Sequence, residues 1–358
     1  MRRSVIVGMS GGVDSSVTAA ILKKRGYRVI GITMQLLSEQ EESRCCNVSD
    51  VTDAKRVCQH LNIPHYTLNS RDLFKSSVID PFVDSYLQGE TPNPCVNCNR
   101  FIKFTALLKQ ADALGIQYVA TGHYCKKTYN PKLNQYYLKK AADDAKDQTY
   151  FLYMLPQNVL KRLLFPLGNF EKPEIRQLAT QYNLITAEKK DSQDICFVQQ
   201  YKPFIESHST PEQRKSGAIV DTTGKYLGDH QGLYKYTIGQ RRGLNLGTET
   251  PYYVVAIQPQ YNRLVVSPVR VQNYRIHLHT VNFINTGDPN YEYNYSIKTR
   301  YQMNPVNAKI TAYNNLNNTA IITLDTPTYA SAPGQSLVLY QGDRVVGGGV
   351  IQASQHAV

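Results

Sequence analysis

The chain has 358 residues, of which 42% are hydrophobic and 19% are charged, a composition typical of a globular protein. This length exceeds what one hydrophobic core usually fills, and it predicts about two to three domains. No stretch approaches the roughly 18 consecutive apolar residues that a bilayer-spanning helix needs, which argues against a membrane protein. The start, MRRSVIVGMSGG, leads into glycine-rich sequence rather than the long apolar region of a signal peptide, so we interpret it as a first strand.

The basic side chains exceed the acidic ones by 12, and the excess is uneven along the chain. Residues 1–200 hold 26 basic and 19 acidic side chains, residues 201–275 hold 10 and 5, and residues 276–358 hold 4 and 4. Such an excess serves solubility or a polyanionic partner, of which nucleic acid is the commonest. The seven cysteines, an odd number with Cys45 next to Cys46, fit a reducing cytoplasm better than a disulfide framework.

The first 125 residues alternate short Val/Ile-rich runs with amphipathic runs, which predicts an α/β domain with a parallel sheet. The predicted elements are Ser4–Met9, Ser15–Arg25, Arg28–Met34, Val51–Leu61, His65–Leu68, Asp72–Leu87, Phe101–Leu114 and Gln117–Thr121. A hairpin of Tyr124–Tyr129 with Gln135–Lys140, a helical DQTYFLYML run and a helix at Lys172–Tyr182 are expected next. We expect this domain to close near residue 200.

Beyond residue 200 the pattern changes to half-buried strands, and a further boundary is expected near residue 275. The predicted strands are Tyr252–Val266, Ile297–Tyr301, Ala308–Tyr313, Ala320–Leu324, Ser336–Tyr340 and Val345–Ile351. The chain therefore divides into predicted domains 1–200, 201–275 and 276–358, of which the last two are mainly β.

A glycine-rich string joins the first predicted strand to the first predicted helix. Adjacent glycines allow positive φ angles that turn successive amides into an anion cradle, and the helix N-terminus adds partial positive charge. Serine hydroxyls can donate to phosphate there, whereas Asp14 fits Mg²⁺ or a helix cap better. The predicted phosphate-binding residues are Gly8, Met9, Ser10, Gly11, Gly12, Val13, Asp14 and Ser15.

The GxxxxGK[ST] pattern is absent from this string, so no lysine of the loop is available to clamp a γ-phosphate. The string instead resembles the SGGxDS loop of the PP-loop, or N-type, ATP pyrophosphatases. That resemblance implies cleavage of ATP between the α and β phosphates and adenylation of a carbonyl or carboxyl oxygen, with the acceptor left open.

Three cysteines stand near basic residues. Cys95 and Cys98 precede the predicted helix Phe101–Leu114, with Arg100 and Lys103 nearby, and Cys196 follows two lysines. A thiol near a helix N-terminus and cations is expected to have a lowered pKa. Redox pairing, metal binding and burial are alternatives for CxxC, but structural zinc needs four ligands and a second CxxC is absent.

The remaining cysteines and one histidine carry weaker signals. Cys58 falls on the apolar face of a predicted helix, which favours a core position. Cys45 and Cys46 begin a helix-entry loop, and neither their spacing nor that of Cys125 indicates a function. His123 follows a predicted strand end, where α/β sites form, although a lone histidine is more often part of the structure.

Eight motifs together resemble one family. GMSGGVDSS, CCNVSDVTDAKRVC, TPNPCVNCNRFIKF, ATGHY, KDQTYFLY, KKDSQDICF, YTIGQRRGL and APGQS occur in this order between residues 8 and 336. They are similar to the bacterial and organellar tRNA-uridine 2-sulfurtransferases, the tRNA 2-thiouridylases of the MnmA family. The resemblance implies a PP-loop domain, a small central domain that binds tRNA, a C-terminal β-barrel, and a cytoplasmic enzyme that replaces the C2 oxygen of the wobble uridine by sulfur.

The resemblance also implies a reaction path. ATP adenylates the C2 oxygen, and sulfur arrives as a persulfide on Cys196, supplied by a donor such as a cysteine desulfurase or a sulfur-relay protein. Cys98 matches the nucleophile and forms a transient disulfide with Cys196, which either frees hydrosulfide or assists direct transfer. Many family members have Asp at the position of Cys95, so the role of that Asp does not carry over to this chain.

By the same matching, Met34 and Gly122 join the loop in contacting ATP, and Mg²⁺ is expected with ATP near Asp14. The tRNA anticodon arm is expected to contact Asn93, Pro94, Cys95, His123, Lys146, Asp147, Gln148, Arg300, Tyr301 and Gln335. Arg300 and Tyr301 suit this role physically, because both side chains stack on bases and a guanidinium binds phosphate.

Three alternatives stay open at this point. An iron–sulfur cluster on Cys95, Cys98 and Cys196 would thiolate the same base with sulfur bound at its open iron site. Another PP-loop adenylating enzyme would leave Cys98 and Cys196 without a role. A basic RNA-binding protein that keeps a nucleotide only for structure fits the charge alone.

Overall fold

The computed structural model describes residues 3–37, 48–191, 195–198, 200–285, 289–329 and 331–353. Cys45 and Cys46 therefore lie outside the described residues. The chain folds into two compact units. The first unit comprises Met1–Val78, Pro94–Gln199 and Asp343–Val345, and the second comprises Ile79–Asn93, Gln200–Gly342 and Val346–Val358.

The α-helices and strands follow one another as a mixed α/β part and then a mainly β part. In chain order they are β1 (Ser4–Gly8), α1 (Val13–Lys24), β2 (Arg28–Gln35), α2 (Val48–His60), β3 (His65–Asn69), α3 (Arg71–Phe74), α4 (Asp80–Leu87), α5 (Pro94–Asn97), α6 (Leu107–Ala113), β4 (Tyr118–Ala120), β5 (Lys126–Asn130), β6 (Gln135–Lys139), α7 (Gln157–Leu160), β7 (Leu163–Leu164), α8 (Lys172–Gln181), α9 (Tyr201–Ser207), β8 (Gly217–Asp221), β9 (Tyr226–His230), β10 (Tyr253–Gln258), β11 (Arg263–Ser267), β12 (Gln272–Phe283), β13 (Tyr295–Lys298), β14 (Val306–Asn314), β15 (Thr319–Tyr329), β16 (Ser336–Gln341) and β17 (Arg344–Ile351). No helix among the described residues is long and apolar enough to cross a membrane.

The first unit is built on a five-stranded sheet in the order β3-β2-β1-β4-β7, and every pair in it is parallel. The central strand β1 carries Val5, Ile6 and Val7, which are fully buried, as expected for a strand covered on both faces. Helices α1 and α8 contribute Val17 and Ile175 to the same core. The predicted α/β domain with a parallel sheet is thus confirmed.

Two smaller predictions in this unit also hold. Strands β5 and β6 form the expected antiparallel hairpin, with Lys126 opposite Lys139. Cys58 is fully buried in the core, where a Cβ on Gly31 would lie 2.6 Å from its sulfur. Glycine at position 31 therefore makes room for the thiol.

One predicted helix begins earlier than expected. Instead of starting at Phe101, the helical path runs from α5 through a π-helix at Cys98–Ala106 and into α6. Proline is tolerated in the first helical turn because its missing N–H has no partner there, so Pro94 opens the helix rather than preventing it. Cys95 and Cys98 consequently lie inside the helical path, not ahead of it.

The DQTYFLYML run was expected to be helical, but only Thr149–Phe151 form a short 3₁₀-helix. Its apolar side chains do not line one face: Tyr150, Leu152 and Tyr153 are all buried. A run buried on all sides lacks the periodicity that distinguishes a helix.

The described residues of the second unit contribute to two sheets. In the smaller one, of order β10-β11-β8-β9, only the β11–β8 pair is parallel. In the larger one, β12-β15-β14-β13-β16-β17 form an antiparallel barrel that the pairing of β12 with β17 closes. Alternating residues of these strands, such as Ile276, Leu278, Ile310 and Ile322, fill its interior. The expected central β part and C-terminal barrel are therefore present.

Candidate active site

The glycine-rich loop lies between β1 and α1. Gly11 has φ +71°, and a Cβ there would lie 2.3 Å from the carbonyl oxygen of Asp50. Both constraints restrict the position to glycine. The loop thus turns sharply into the N-terminus of α1, as the anion cradle predicted from the sequence requires.

The other predicted nucleotide residues lie at the same edge of the sheet. Met34 is near the carboxyl end of β2, and Gly122 follows the carboxyl end of β4. A Cβ on Gly122 would lie 2.8 Å from the carbonyl carbon of Asp14 and 2.9 Å from the amide nitrogen of Ser15, so the two segments touch. Ligands of open parallel sheets bind at this edge. The structure brings these predicted residues together.

Serine side chains stabilise the loop from within. The hydroxyl oxygens of Ser10 and Ser15 are 3.2 Å apart, and the Ser15 hydroxyl donates to the Gly12 carbonyl at 3.1 Å. The Ser10 amide in turn donates to the Ser15 hydroxyl at 3.2 Å. Ser15 is buried whereas Ser10 is exposed, so the Ser10 hydroxyl is the more accessible donor.

Asp14, in the first turn of α1, is held by two side chains from distant parts of the chain. The Lys172 ammonium donates to both of its carboxylate oxygens, at 2.7 and 2.9 Å, and the Tyr124 hydroxyl donates to Oδ1 at 2.8 Å. Burial, together with the Asp14 charge, raises the pKa of Tyr124, which therefore stays a hydroxyl donor. Sequence reasoning assigned no role to Lys172 or Tyr124.

Asp191 extends this cluster. Its Oδ1 lies 2.8 Å from Lys172 Nζ and 3.2 Å from an Arg176 nitrogen, and its Oδ2 lies 2.8 Å from Lys146 Nζ. Burial alone would raise the pKa of Asp191, but hydrogen bonds from Lys146 and Lys172 outweigh burial and lower it. Asp14, Lys172, Asp191 and Lys146 thus form one ionic cluster beside the loop.

A second ionic contact lies next to Gly11. The Lys189 ammonium bridges Asp50 at 2.7 Å and Asp53 at 2.6 Å in the first turns of α2. Burial lowers the pKa of Lys189, but its hydrogen bonds to both carboxylates raise it more. Lys189 and Asp191 belong to the KKDSQDICF motif, so this motif could have signalled an ionic role beside its cysteine.

The thiol pKa values of Cys95 and Cys98 are shifted in the direction opposite to the one expected. Burial raises the pKa of Cys98 to about 12 and that of Cys95 to about 11, and the nearby Lys103 charge offsets this only in part. The prediction of lowered thiol pKa values is therefore wrong for Cys95 and Cys98, and for Cys196 it stays a prediction. Its error was to count the cations and the helix N-terminus but not the burial of Cys98, which is 6% exposed.

The Cys196 charge makes a smaller contribution to raising the pKa of both Cys95 and Cys98. The next residue, Phe197, anchors the segment by packing edge-on against the buried ring of Phe74, with the ring centres 5.3 Å apart. Among the described cysteines, Cys58, Cys98 and Cys125 are buried, whereas Cys95 and Cys196 are partly exposed.

The fit of metal groups can be judged from the donor atoms. Among the residues that the structure describes, no group of three or more His, Cys, Asp or Glu side chains is arranged to hold a metal ion. The thiols of Cys95, Cys98 and Cys196 thus do not form a ready iron–sulfur site in this conformation. Mg²⁺ carried by a nucleotide needs only one or two carboxylates besides phosphate and water, and Asp14 meets that requirement.

His123 is buried and hydrogen-bonded at both ring nitrogens. Thr121 Oγ1 lies 2.8 Å from Nδ1, and Asn99 Oδ1 lies 3.1 Å from Nε2. Asn99 also donates through Nδ2 to the Phe151 carbonyl, so its oxygen faces the histidine and Nε2 carries the proton. Burial and the Lys103 charge lower the pKa of His123 well below its usual value. The expected contact of His123 with tRNA stays a prediction.

The predicted tRNA residues at 146–148 are engaged within the first unit. Asp147 is buried and accepts hydrogen bonds from the Ala141 amide at 3.1 Å and the Thr149 hydroxyl at 2.6 Å. Gln148 pairs with the backbone of Tyr124 through its side-chain oxygen at 2.9 Å. These contacts fix the loop that carries Lys146.

Of the remaining predicted tRNA residues, Pro94 and Cys95 lie in the first unit, and Asn93, Arg300, Tyr301 and Gln335 lie in the second. Arg300 is exposed in the turn after β13, and the Lys298 ammonium lies 3.4 Å from the Tyr301 carbonyl oxygen. Gln335 donates to the Thr91 carbonyl at 2.6 Å, two residues before Asn93. Gln335 therefore helps to fix the second-unit segment that leads into Asn93.

Comparison with known proteins gives a consistent family. The chain matches the models described as tRNA methyl transferase HUP domain at residues 3–200, tRNA methyl transferase PRC-barrel domain at 202–268 and Aminomethyltransferase beta-barrel domain at 273–351. Proteins named tRNA-specific 2-thiouridylase MnmA are similar over nearly the whole length. The relative from Carboxydothermus hydrogenoformans is 44% identical, with 98% of each chain covered, and the one from Acetivibrio thermocellus is 45% identical, with 98% of this chain and 99% of that one covered.

Similarity to solved structures is weaker. An NMN synthetase from Francisella tularensis is 18% identical with a TM-score of 0.33, and covers 53% of this chain and 66% of that chain. A 4-thiouridine synthetase–RNA complex with bound ATP is 19% identical with a TM-score of 0.35, and covers 54% and 44%. Neither similarity is high enough to support an inference.

Proposed function

The chain belongs to the tRNA-specific 2-thiouridylase family, and we propose that it uses ATP to replace the C2 oxygen of the wobble uridine of tRNA by sulfur. One observation carries the proposal. A single folded unit contains the glycine-rich loop at the carboxyl edge of its sheet together with Cys98 and Cys196, and the Cys196 charge contributes to raising the pKa of the Cys98 thiol. We also propose the domain boundaries 1–200, 201–275 and 276–358, and a cytoplasmic location.

The first half-reaction makes the C2 oxygen a leaving group. ATP binds along Gly8–Ser15, with Met34 and Gly122 at the same edge, and the uracil C2 oxygen attacks the α-phosphorus. The bond between the α-phosphorus and the bridging oxygen breaks, its electron pair leaves with pyrophosphate, and the N3 proton of uracil passes to solvent. Bound Mg²⁺ would neutralise phosphate charge, with Asp14 as its protein ligand.

The second half-reaction installs sulfur. The terminal sulfur of a Cys196 persulfide bonds to C2, and the C2–oxygen bond breaks with release of AMP. The Cys98 thiolate then attacks the Cys196 sulfur, so a Cys98–Cys196 disulfide forms and the transferred sulfur stays on C2. In the variant of this path, Cys98 attacks first and frees hydrosulfide, which then attacks C2. A cellular thiol must reduce the disulfide before the next turnover.

The proposed partners follow from this chemistry. The anticodon arm of tRNA supplies the base, and Asn93, Pro94, Cys95, Lys146 and Arg300 are among its proposed contacts. A persulfide donor such as a cysteine desulfurase or a sulfur-relay protein recharges Cys196. We propose the persulfide path rather than an iron–sulfur cluster, because many family members have Asp at the position of Cys95 and so lack the third thiolate.

The test is nucleoside mass spectrometry of tRNA incubated with the protein, ATP and a persulfide donor. We expect 2-thiouridine together with AMP and pyrophosphate, and loss of 2-thiouridine in Cys98→Ser and Cys196→Ser. Cys95→Ser is expected to keep activity, and Cys58→Ala is the control for a buried cysteine away from the reaction. Formation of ADP would contradict the proposed adenylation.

A separate measurement tests the cluster alternative. The protein purified without oxygen is assayed for iron and for visible absorption, beside Cys95→Ser and Cys196→Ser. An active iron-free protein is expected. Stoichiometric iron that is lost in both variants together with activity would overturn the persulfide path.

A further inference from the structure

The loop that we propose for ATP contains no cation of its own. The string Gly8–Ser16 offers backbone amides and hydroxyls, and its only charged side chain, Asp14, has the same sign as phosphate. Cleavage between the α and β phosphates gathers negative charge on the departing pyrophosphate. Cations or dipoles aimed at such developing charge give some of the largest catalytic effects known.

Lys172 lies where such a cation is needed. It comes from a segment 158 residues away in sequence, yet its ammonium contacts both oxygens of Asp14 in the first turn of α1. Its side chain is only 10% exposed, which is rare for lysine and requires compensating partners. The phosphate loop and this ammonium are thus adjacent.

The position of Lys172 is unfavourable for the helix that carries it. Lys172 is the first residue of α8, where the helix dipole disfavours positive charge. The helix start is otherwise well formed, since Glu174 accepts a hydrogen bond from the Glu171 amide at 2.7 Å. A cation kept at a helix N-terminus and largely buried points to a purpose other than the stability of α8.

The cluster can release the ammonium toward a phosphate. Asp191 keeps Lys146 at 2.8 Å and Arg176 at 3.2 Å when Lys172 turns away, and Asp14 keeps the Tyr124 hydroxyl at 2.8 Å. Neither carboxylate is then left without a hydrogen-bond donor. The Lys172 ammonium can therefore move from these carboxylates to a phosphate without leaving a buried carboxylate unpaired.

We propose that Lys172 binds the phosphates of ATP and stabilises the negative charge that develops on pyrophosphate as the α-phosphorus–oxygen bond breaks. The ammonium keeps its proton throughout, because its role is electrostatic. Asp14 and Asp191 hold it in position before ATP arrives. This inference rests on the proposed function for its reaction step, but not for its binding step.

The test compares ATP affinity, measured by calorimetry without tRNA, among variants of the full chain. Lys172→Met should weaken ATP binding by about 10- to 100-fold, the effect of a lost charge-assisted hydrogen bond. Arg176→Gln, which removes another cation from Asp191, should change ATP affinity by less than about threefold. Equal losses in both variants would mean that the cluster acts only through its overall structure, and would overturn the proposal.

A double variant separates phosphate binding from neutralisation of Asp14. If Lys172 only neutralises that carboxylate, Asp14→Asn/Lys172→Met should bind ATP as well as Asp14→Asn does. The proposal expects the double variant to stay about 10- to 100-fold weaker than Asp14→Asn. The double variant also leaves no unpaired carboxylate, so it tests the point in a folded chain even if Lys172→Met is unstable, and urea unfolding verifies this.

The reaction step is measured with tRNA as the rate of AMP formation in a single turnover. Lys172→Met, saturated with ATP, should form AMP at least about 100-fold more slowly than the unaltered chain. A normal rate would overturn the catalytic part of the proposal. If the unaltered chain formed ADP or no AMP, the proposed function would fail instead, while the binding comparison would still decide whether Lys172 contacts phosphate.

Discussion

The Nε2 atom of His123 lies 3.1 Å from Oδ1 of Asn99, the residue that follows Cys98. Gly122, the residue before His123, lies against the first turn of α1. One short segment therefore contacts both the nucleotide loop and the helix that carries the proposed nucleophile. The bond between His123 and Asn99 thus links that helix to the glycine-rich loop through a single segment.

The burial of His123 predicts that the free energy of unfolding depends on pH. Since burial keeps the folded pKa of His123 well below its unfolded value of about 6.5, the unfolded chain binds a proton below that pH and the folded chain does not. The contribution of neutral His123 to the free energy of unfolding is fully present above pH 6.5. It is lost as the pH falls below that value, by up to about 1.4 kcal/mol per pH unit.

His123→Gln removes the titration and keeps a donor for Asn99. Urea unfolding at pH 7.5 and 5.5 should show a smaller loss of stability at low pH in this variant than in the unaltered chain. Equal losses would mean that His123 does not stay neutral in the folded state.

The loop glycines predict a contrast between neighbours. Gly11→Ala should lower the free energy of unfolding by about 1–2 kcal/mol or more, because φ is +71° and the new Cβ would meet the Asp50 carbonyl. Gly12→Ala is the matched control, since φ there is −95° and the nearest atom lies at 3.5 Å. Urea unfolding of both variants checks this, and a similar loss in both would contradict the loop geometry.

The burial of Cys98 predicts slow, strongly pH-dependent alkylation. With a pKa of about 12, its thiolate fraction should rise about tenfold per pH unit between pH 7 and 9 without levelling off. Iodoacetamide labelling, followed on the Cys98 peptide by mass spectrometry, measures this rate. The urea-unfolded chain is the control and should level off near the ordinary cysteine pKa. A plateau below pH 9 in the folded chain would mean that the thiolate is stabilised before substrates bind.

The charge distribution predicts that the binding of tRNA depends on salt. The basic excess before residue 276 is expected to supply most of the attraction to the tRNA phosphates. Arg300→Ala should weaken binding and reduce the slope of log affinity against log salt by about 0.7 to 0.9. Lys309→Ala, an exposed cation on β14 in the same part of the chain, should leave both nearly unchanged. Filter binding between low and moderate salt measures the slope, and an affinity independent of salt would refute the electrostatic argument.

Local patterns predicted most of the fold but little of the ionic cluster. The alternation of buried strands with amphipathic helices is visible in residues that are close together in the sequence. The strand Ser4–Gly8 and the helix Val13–Lys24 accordingly lie close to their expected bounds. The pairing of Lys172 with Asp14 joins residues 158 positions apart, and no periodicity in a single sequence encodes it. The glycine string identified the loop, but not the lysine beside it.

The cysteines illustrate the same limit in electrostatic terms. Their cationic neighbours are visible in the sequence, whereas the desolvation of Cys98 depends on side chains from several elements. Phe74, from α3, packs against Phe197 in the segment of Cys196. Nearby cations lower a thiol pKa and burial raises it, so the sign of the shift depends on which effect is larger. The extent of burial is known only from the packed chain.

The hydrogen bond from Gln335 to the Thr91 carbonyl also has a consequence for the order of events during protein synthesis. The Thr91 amide donates to Pro333 at 2.8 Å, so both backbone groups of Thr91 depend on residues made much later. After Thr91 the ribosome must add 244 residues to reach and include Gln335, which takes about 12 to 50 seconds at roughly 5–20 residues per second. The segment leading into Asn93 therefore gains both of these bonds only after residues 333–335 have been synthesised, and until then the Thr91 backbone groups are open to water or to a chaperone.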